Sequence, residues 1–153
     1  MTYAELQFIL AEARQKGFIT TGTAETYYTN GITANFNYWQ SVVPAAYNLN
    51  VAIPAGYLNQ PSVAYTGSDM EKLGKIALQK WIALYFNGLE AWFDWRRTGM
   101  PEIIPGPGNL NNNKVPVRYI YPLSEQSLNG TNRAEAVKRQ GPDDLNTRPW
   151  IAQ

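Results

Sequence analysis

Residues 68–101, SDMEKLGKIALQKWIALYFNGLEAWFDWRRTGMP, carry the strongest structural signal in the chain. Ser68-Asp69-Met70-Glu71 has the form of a capping box, in which a hydroxyl accepts the N–H three residues on and a carboxylate reaches back. Proline is absent between 62 and 100, and Leu73, Ile76, Ala77, Trp81, Leu84, Gly88, Ala91, Trp92 and Trp95 recur at spacings of three and four. That period predicts one long helix over 68–98 with a broad apolar face. Trp81, Trp92 and Trp95 fall on this stripe and read as core. Gly88 inside a helix costs about 1 kcal/mol relative to Ala, which implies close packing or a kink. Thr98-Gly99, with Pro101 beyond, ends the helix.

Upstream, residues 2–16 read as an amphipathic helix with Leu6, Ile9, Leu10 and Ala13 as its stripe and Gly17 as its stop. Thr23 is placed to cap a second helix through Trp39, striped by Tyr27, Tyr28, Ile32, Phe36 and Trp39. Residues 1–40 therefore form a helical hairpin, and the alanines of its first helix allow the second to approach closely. No second copy of the pattern follows, so the chain does not read as a repeat array. Residues 41–67 are a loop rich in Pro and Tyr, with Pro44, Pro54 and Pro61 as breakers and a short helix expected after Pro44. Structureless stretches of this length within a domain are uncommon and often functional. Residues 99–153 read as a loop-rich C-terminal cap. In it Val117–Tyr121 is extended, Ser124 caps one helical turn, Asn132 starts a helix through Gln140, and Trp150 docks the tail back.

Composition narrows the chemistry. The 153 residues suit one ordinary domain, and 44% hydrophobic with 16% charged residues describes a globular chain. A net charge of +1, with short cationic pairs at Arg96-Arg97 and Lys138-Arg139, gives no surface for a phosphate backbone, so nucleic acid is not an expected partner. The chain has no cysteine and no histidine. Disulfides, thiolate nucleophiles, the usual zinc sites and imidazole acid–base chemistry are thereby excluded. No run of roughly 18 apolar residues spans a membrane. Helix-like sequence starting directly after Met1 reads as a segment of a longer protein.

Few constellations remain. Glu90 and Asp94 share a helix face, and paired carboxylates can hydrolyse glycosides; a structural ion-pair network with Arg96 and Arg97 accounts for the same residues. Asp143-Asp144 with Asn146 offers oxygen ligands without the full calcium-loop spacing, and a solvated turn explains it as well. Asn109 to Asn113 reads as a turn, and Gly106-Pro107-Gly108 lacks the Lys-Ser/Thr ending of a phosphate loop. Thus no catalytic residue, metal or cofactor is assigned. The aromatics, 13% of the chain with five Trp and ten Tyr, are the best binding signal. Tyr47, Tyr57 and Tyr65 lie on the irregular stretch, either to stack on a sugar ring or to anchor the loop.

From the predicted long helix onward the sequence resembles the C-terminal signature of SusD/RagB-like proteins. The segments that carry the resemblance are Gln79-Lys80-Trp81-Ile82-Ala83-Leu84, Asn87-Gly88, Glu90-Ala91-Trp92 and Trp95-Arg96-Arg97-Thr98-Gly99 with Pro101. Pro116-Val117-Arg118-Tyr119, Tyr121-Pro122, Glu125, Asn129, Asn132 and Thr147-Arg148-Pro149-Trp150 follow in order. Upstream, Tyr3-Ala4-Glu5, Ala11-Glu12-Ala13, Ala24-Glu25, Tyr27-Tyr28 and Tyr57-Leu58-Asn59-Gln60-Pro61 extend it over nearly the whole chain. The resemblance implies a mainly α fold with a tetratricopeptide-like hairpin, a long helix and extensive loops. It implies a non-catalytic lipoprotein on the outer-membrane surface of Bacteroidetes, held there by a lipid anchor. Such a protein binds oligosaccharide or another nutrient, as in starch utilization, and works with a SusC-type TonB-dependent transporter. The aromatic arc that grips glycan in this family belongs mainly to earlier parts of the chain and is not carried over. The residues expected to touch ligand within this segment are Trp39, Tyr47, Tyr57 and Tyr65. The other readings are a helical scaffold for protein partners with no sugar site, and a glycoside hydrolase using Glu90 and Asp94.

Overall fold

The computed structural model describes residues 1–150, which divide into two units, Met1–Pro101 and the described residues from Glu102 onward. The described residues hold helices and turns and no strand, in keeping with the mainly α expectation. No helix among them is long and apolar enough to cross a membrane.

The first unit is built on α1 (Tyr3–Gln15), α2 (Ala24–Val42) and α3 (Asp69–Ala83). Thr2 caps α1 through a complete capping box with Glu5, and Ser68 caps α3 in the same way with Glu71. The Ser68 backbone N–H, and then its hydroxyl, hold the Glu71 carboxyl below its usual pKa. Thr23 caps α2 by accepting the Thr26 N–H. The helix runs three residues past Trp39, to Val42, where Pro44 forces the chain out.

The core lies where these three helices meet and is filled by Phe8, Tyr28, Ile32, Val63 and Ile76. The expected stripe of α1 is corrected, and that of α2 supplies Tyr28 and Ile32 to the core with Tyr27 and Phe36 packed against it. The buried face of α1 is Ala4, Phe8 and Ala11, whereas Leu6 is 39% exposed. Both sets have helical spacing, but Ala4 and Ala11 let the other helices reach Phe8. On α2 the buried residues are Tyr28, Gly31 and Ile32; Tyr27, Phe36 and Trp39 are half-buried. Gly31 is required, since a Cβ there would stand 2.7 Å from the Phe8 ring.

The Pro/Tyr stretch is not loose. It holds short 3-10 turns at Ala45–Tyr47 and Tyr57–Asn59, the first where a short helix was expected. Side-chain hydrogen bonds tie it to the helices. The buried Tyr28 hydroxyl donates to Val63 O at 2.8 Å, and Lys75 Nζ donates to Ala64 O at 2.7 Å and Thr66 O at 3.0 Å. Tyr57 Oη exchanges hydrogen bonds with the Gln79 amide at 3.1–3.2 Å. Burial pushes the Tyr28 hydroxyl well above the usual phenol range.

The single helix expected over 68–98 is two helices. α3 stops at Ala83, and α4 (Glu90–Thr98) begins after a turn in which Phe86 has φ 63° and Gly88 has φ 55°. Glycine adopts that left-handed backbone freely. The break brings Lys80 Nζ to 2.9 Å from Asp94 Oδ1. In a continuous helix these residues, fourteen apart, would be separated by about 21 Å at the 1.5 Å rise per residue. Asp94 Oδ1 also accepts from Arg97 at 2.8 Å, and Arg97 grips Glu12 of α1 with two nitrogens at 2.6 and 2.8 Å. The charges of α4 thus clamp it to α3 and α1, and α4 itself has no fully buried residue. Trp81, Trp92 and Trp95 are correspondingly half-buried, not core. Arg96 instead lies over the Trp92 ring, 4.5 Å from its centroid.

The second unit contains α5 (Leu123–Leu128) and α6 (Gly130–Gln140). Pro122, not Ser124, precedes α5, and α6 starts two residues before Asn132. Asp143 organises this unit: its Oδ1 accepts from Arg118 and from the Tyr121 N–H, and its Oδ2 accepts from Arg133 at 2.7 Å. Burial would raise the Asp143 pKa, but these donors outweigh it and hold it below the usual range. Val117 donates its N–H to Leu145 O at 2.8 Å. Trp150, expected to dock the tail, is 73% exposed.

Candidate functional site

A cavity of about 540 Å³ lies in the first unit between α2, the stretch 50–57 and the C-terminal half of α3. α2 presents Asn35, Phe36 and Trp39 to it, one helical turn of neighbours. The loop supplies Asn50, Val51, Ala52, Pro54 and Tyr57, and α3 with its C-terminal turn supplies Gln79, Trp81, Ile82 and Tyr85. Five aromatic rings and three carboxamides therefore share one groove.

Its walls are ordered by hydrogen bonds. Gln40 Oε1 accepts the Val51 N–H at 3.2 Å, and Asn50 Oδ1 accepts the Ala52 N–H at 3.0 Å. The Tyr57–Gln79 pair fixes the floor. Phe36 meets Tyr57 edge to face with centroids 5.3 Å apart, and Trp39 faces Tyr85 at 6.3 Å. No charged residue is among the groove-lining residues described. The groove can therefore stack flat rings and exchange hydrogen bonds with hydroxyls, and it has no built-in partner for an ion.

The four residues expected to bind do not form one site. Trp39 and Tyr57 line the groove together. Tyr47 is 68% exposed on its own 3-10 turn, away from the groove lining. Tyr65 turns inward, packing on Tyr28 with centroids 5.2 Å apart and donating its hydroxyl to Gln15. Burial first, and then the nearby Asp69 and Glu25 carboxylates, push Tyr65 up to about 12. Sequence reasoning missed Trp81, Tyr85 and the carboxamides of Asn35, Asn50 and Gln79. Trp81 was hidden by its place on the apolar stripe. A usable signal existed in the pairing of Trp39 on α2 with two aromatics four apart, Trp81 and Tyr85.

The carboxylates considered for hydrolysis lie outside the groove lining. Asp94 is engaged by Lys80 and Arg97, and Glu90 is exposed at the first turn of α4, not bound by the arginines as expected. In the second unit the oxygens of Asp143 are taken by Arg118, Arg133 and the Tyr121 N–H. Asp144 Oδ1 accepts the Asn146 and Thr147 N–H groups in an Asx turn. Among the described residues no group of three acidic side chains is placed to hold a metal ion.

The sequence pattern of the SusD-like family, described as "Starch-binding associating with outer membrane", matches residues 1–122. The chain belongs to the SusD-like family. Membership associates it with the outer membrane. Solved structures agree. A SusD homologue from Bacteroides fragilis is 35% identical, with a TM-score of 0.83 over 100% of this chain and 34% of its own. A Bacteroidetes SusD-like structure is 30% identical, with a TM-score of 0.85 over 100% of this chain and 30% of its own. A chitin-binding SusD homologue from Flavobacterium johnsoniae is 32% identical, with a TM-score of 0.73 over 98% of this chain and 36% of its own. The SusD-like chain described here thus spans about a third of the length of these relatives. A comparison with curated proteins gives no match.

Proposed function

We propose that the full-length protein is a non-catalytic glycan-binding component of an outer-membrane uptake system, a surface lipoprotein acting with a SusC-type TonB-dependent transporter. In this reading the segment contributes a sugar-stacking groove, with Trp39, Tyr57, Trp81 and Tyr85 as ring platforms and Asn35, Asn50 and Gln79 as hydrogen-bonding groups. The observation that carries it is the uncharged, ring-lined groove of about 540 Å³ in a chain whose family is described as starch-binding. A capture site needs affinity without bond cleavage. The clasping of Asp94 by two cations, outside the groove, supports a structural role for that member of the carboxylate pair considered for hydrolysis.

Affinity electrophoresis of the full-length protein through gels containing soluble starch or glycol chitin tests this. Retardation by one of the polysaccharides, lost in Trp81→Ala, is expected. Unretarded migration through both gels, or retardation indifferent to Trp81→Ala, removes the groove from the account. Co-purification with a TonB-dependent transporter from detergent-extracted outer membranes tests the partnership.

A further inference from the structure

α2 carries a second set of surface groups beside the aromatic groove. Asn30, Thr33, Asn37 and Ser41 recur at helical spacing, and with Tyr3 of α1 and Tyr38 they line a separate depression of about 460 Å³. A smaller opening of about 100 Å³ borders both. It shares Asn35 with the aromatic groove, and Tyr3 and Tyr38 with the second depression. Tyr38 and Trp39 meet edge to face at 5.5 Å on the boundary. The path from Asn30 to Ser41 runs about 16 Å along the helix at 1.5 Å per residue.

The chemistry of this path is selective. The Thr33 hydroxyl donates to Thr29 O at 2.9 Å and the Ser41 hydroxyl to Tyr38 O at 2.7 Å, so each retains acceptor capacity for an incoming donor. Asn30 and Asn37 are exposed and bring both donors and acceptors. Tyr3 is 62% exposed and offers a flat ring. The chain has 13 cationic and 12 anionic residues, yet among the described residues none lines any of the three depressions. A carboxylate or sulfate held here would lose water and gain no charged partner.

Resting on the glycan-binding reading above, we infer that Tyr3, Asn30, Asn37, Tyr38 and Ser41 form a second subsite, so that the ligand is an extended, uncharged oligosaccharide crossing α2. Ring stacking at Trp39 and Trp81 holds one part of the chain. The amide and hydroxyl groups of the second subsite hold a later part.

Calorimetric titration of the full-length protein tests this with maltose and maltoheptaose, chitobiose and chitohexaose, and an oligogalacturonide of matching length. A long neutral oligomer is expected to bind at least about tenfold more tightly than its disaccharide, and more tightly than the oligogalacturonide. The Tyr3→Ala/Asn37→Ala double variant, altered only at exposed positions, is expected to lose the length advantage while keeping the disaccharide affinity. Trp81→Ala weakens both lengths. A length advantage retained in the double variant, or oligogalacturonide bound as tightly as the neutral oligomers, overturns the second subsite or its neutrality and leaves the aromatic groove standing. Absence of binding to every neutral saccharide overturns the glycan-binding reading itself, and this inference with it.

Discussion

Replacing Asp94 by Ala strands a buried cation. Lys80 is 7% exposed at its side chain, and its ammonium lies 2.9 Å from Asp94 Oδ1. Removing one partner of a buried pair costs about 3–5 kcal/mol, because the remaining charge keeps its desolvation penalty without its attraction. Asp94 is 14% exposed and Arg97 49% exposed, which admits some water, so the lower end, about 3 kcal/mol, is expected for Asp94→Ala. Lys80→Met is different. It removes the buried charge and keeps the stem, while Asp94 still accepts from Arg97 at 2.8 Å. That change is expected to cost about 1 kcal/mol or less. On the Lys80→Met background, Asp94→Ala then has no buried ammonium to strand, so the two changes couple by about 2 kcal/mol. Urea unfolding followed by tryptophan fluorescence measures this. With a slope of about 1–3 kcal/mol per molar, Asp94→Ala lowers the midpoint by about 1 M or more, and Lys80→Met by a fraction of that. Equal losses from the two single variants, or strict additivity in the double, would refute the clamp reasoning.

Other predictions follow from single contacts. Burial alone would raise the Glu12 pKa, but hydrogen bonds from Arg97 and Lys16 and their charges hold it at about 2, below the ordinary 4.5. Its stabilisation is therefore full above about pH 4.5 and is lost as pH falls toward 2; after allowance for solvent at the half-exposed Arg97 it is worth about 1–2 kcal/mol. Glu12→Gln should flatten the acid limb of a stability–pH profile in that window. Gly31→Ala should destabilise by about 1–3 kcal/mol despite the better helix propensity of Ala, since the new methyl overpacks Phe8; Phe8→Leu should relieve part of the loss in the same unfolding assay. Tyr65→Phe should cost about 1 kcal/mol through the lost hydrogen bond to Gln15 and leave glycan affinity unchanged.

Local chemistry was the most legible part of the fold. The capping boxes at Thr2 and Ser68, the Thr23 cap and the stop at Gly99 are short-range devices, and the structure builds each in place or, for Thr2, adds one. The break between α3 and α4 was not legible, because Gly88 is tolerated in a helix and the apolar spacing resumes beyond it. The break goes with a long-range ion pair, and Lys80 and Asp94 carry no mark that they should meet. The same limit applied to α1. Two stripes with helical period were available, and packing against Gly31 selected the one containing Phe8. At the candidate site, Trp39 and Tyr57 were readable as aromatics near an irregular segment. Tyr65 was not separable from them, because the direction in which a loop side chain turns depends on its tertiary partner, here Gln15. Trp81 was assigned to the core on period alone, although a ring on the stripe of a helix can line a groove where the facing element leaves room.

The most direct test of the central claim is the affinity of the full-length protein for a neutral oligosaccharide, measured by titration calorimetry in the wild type and in Trp39→Ala and Trp81→Ala. Each ring stands in the groove wall without being buried in the core, so each variant should weaken binding by about tenfold or more while changing the unfolding midpoint little. Affinity unchanged in both variants would contradict the account and place the sugar site outside this groove.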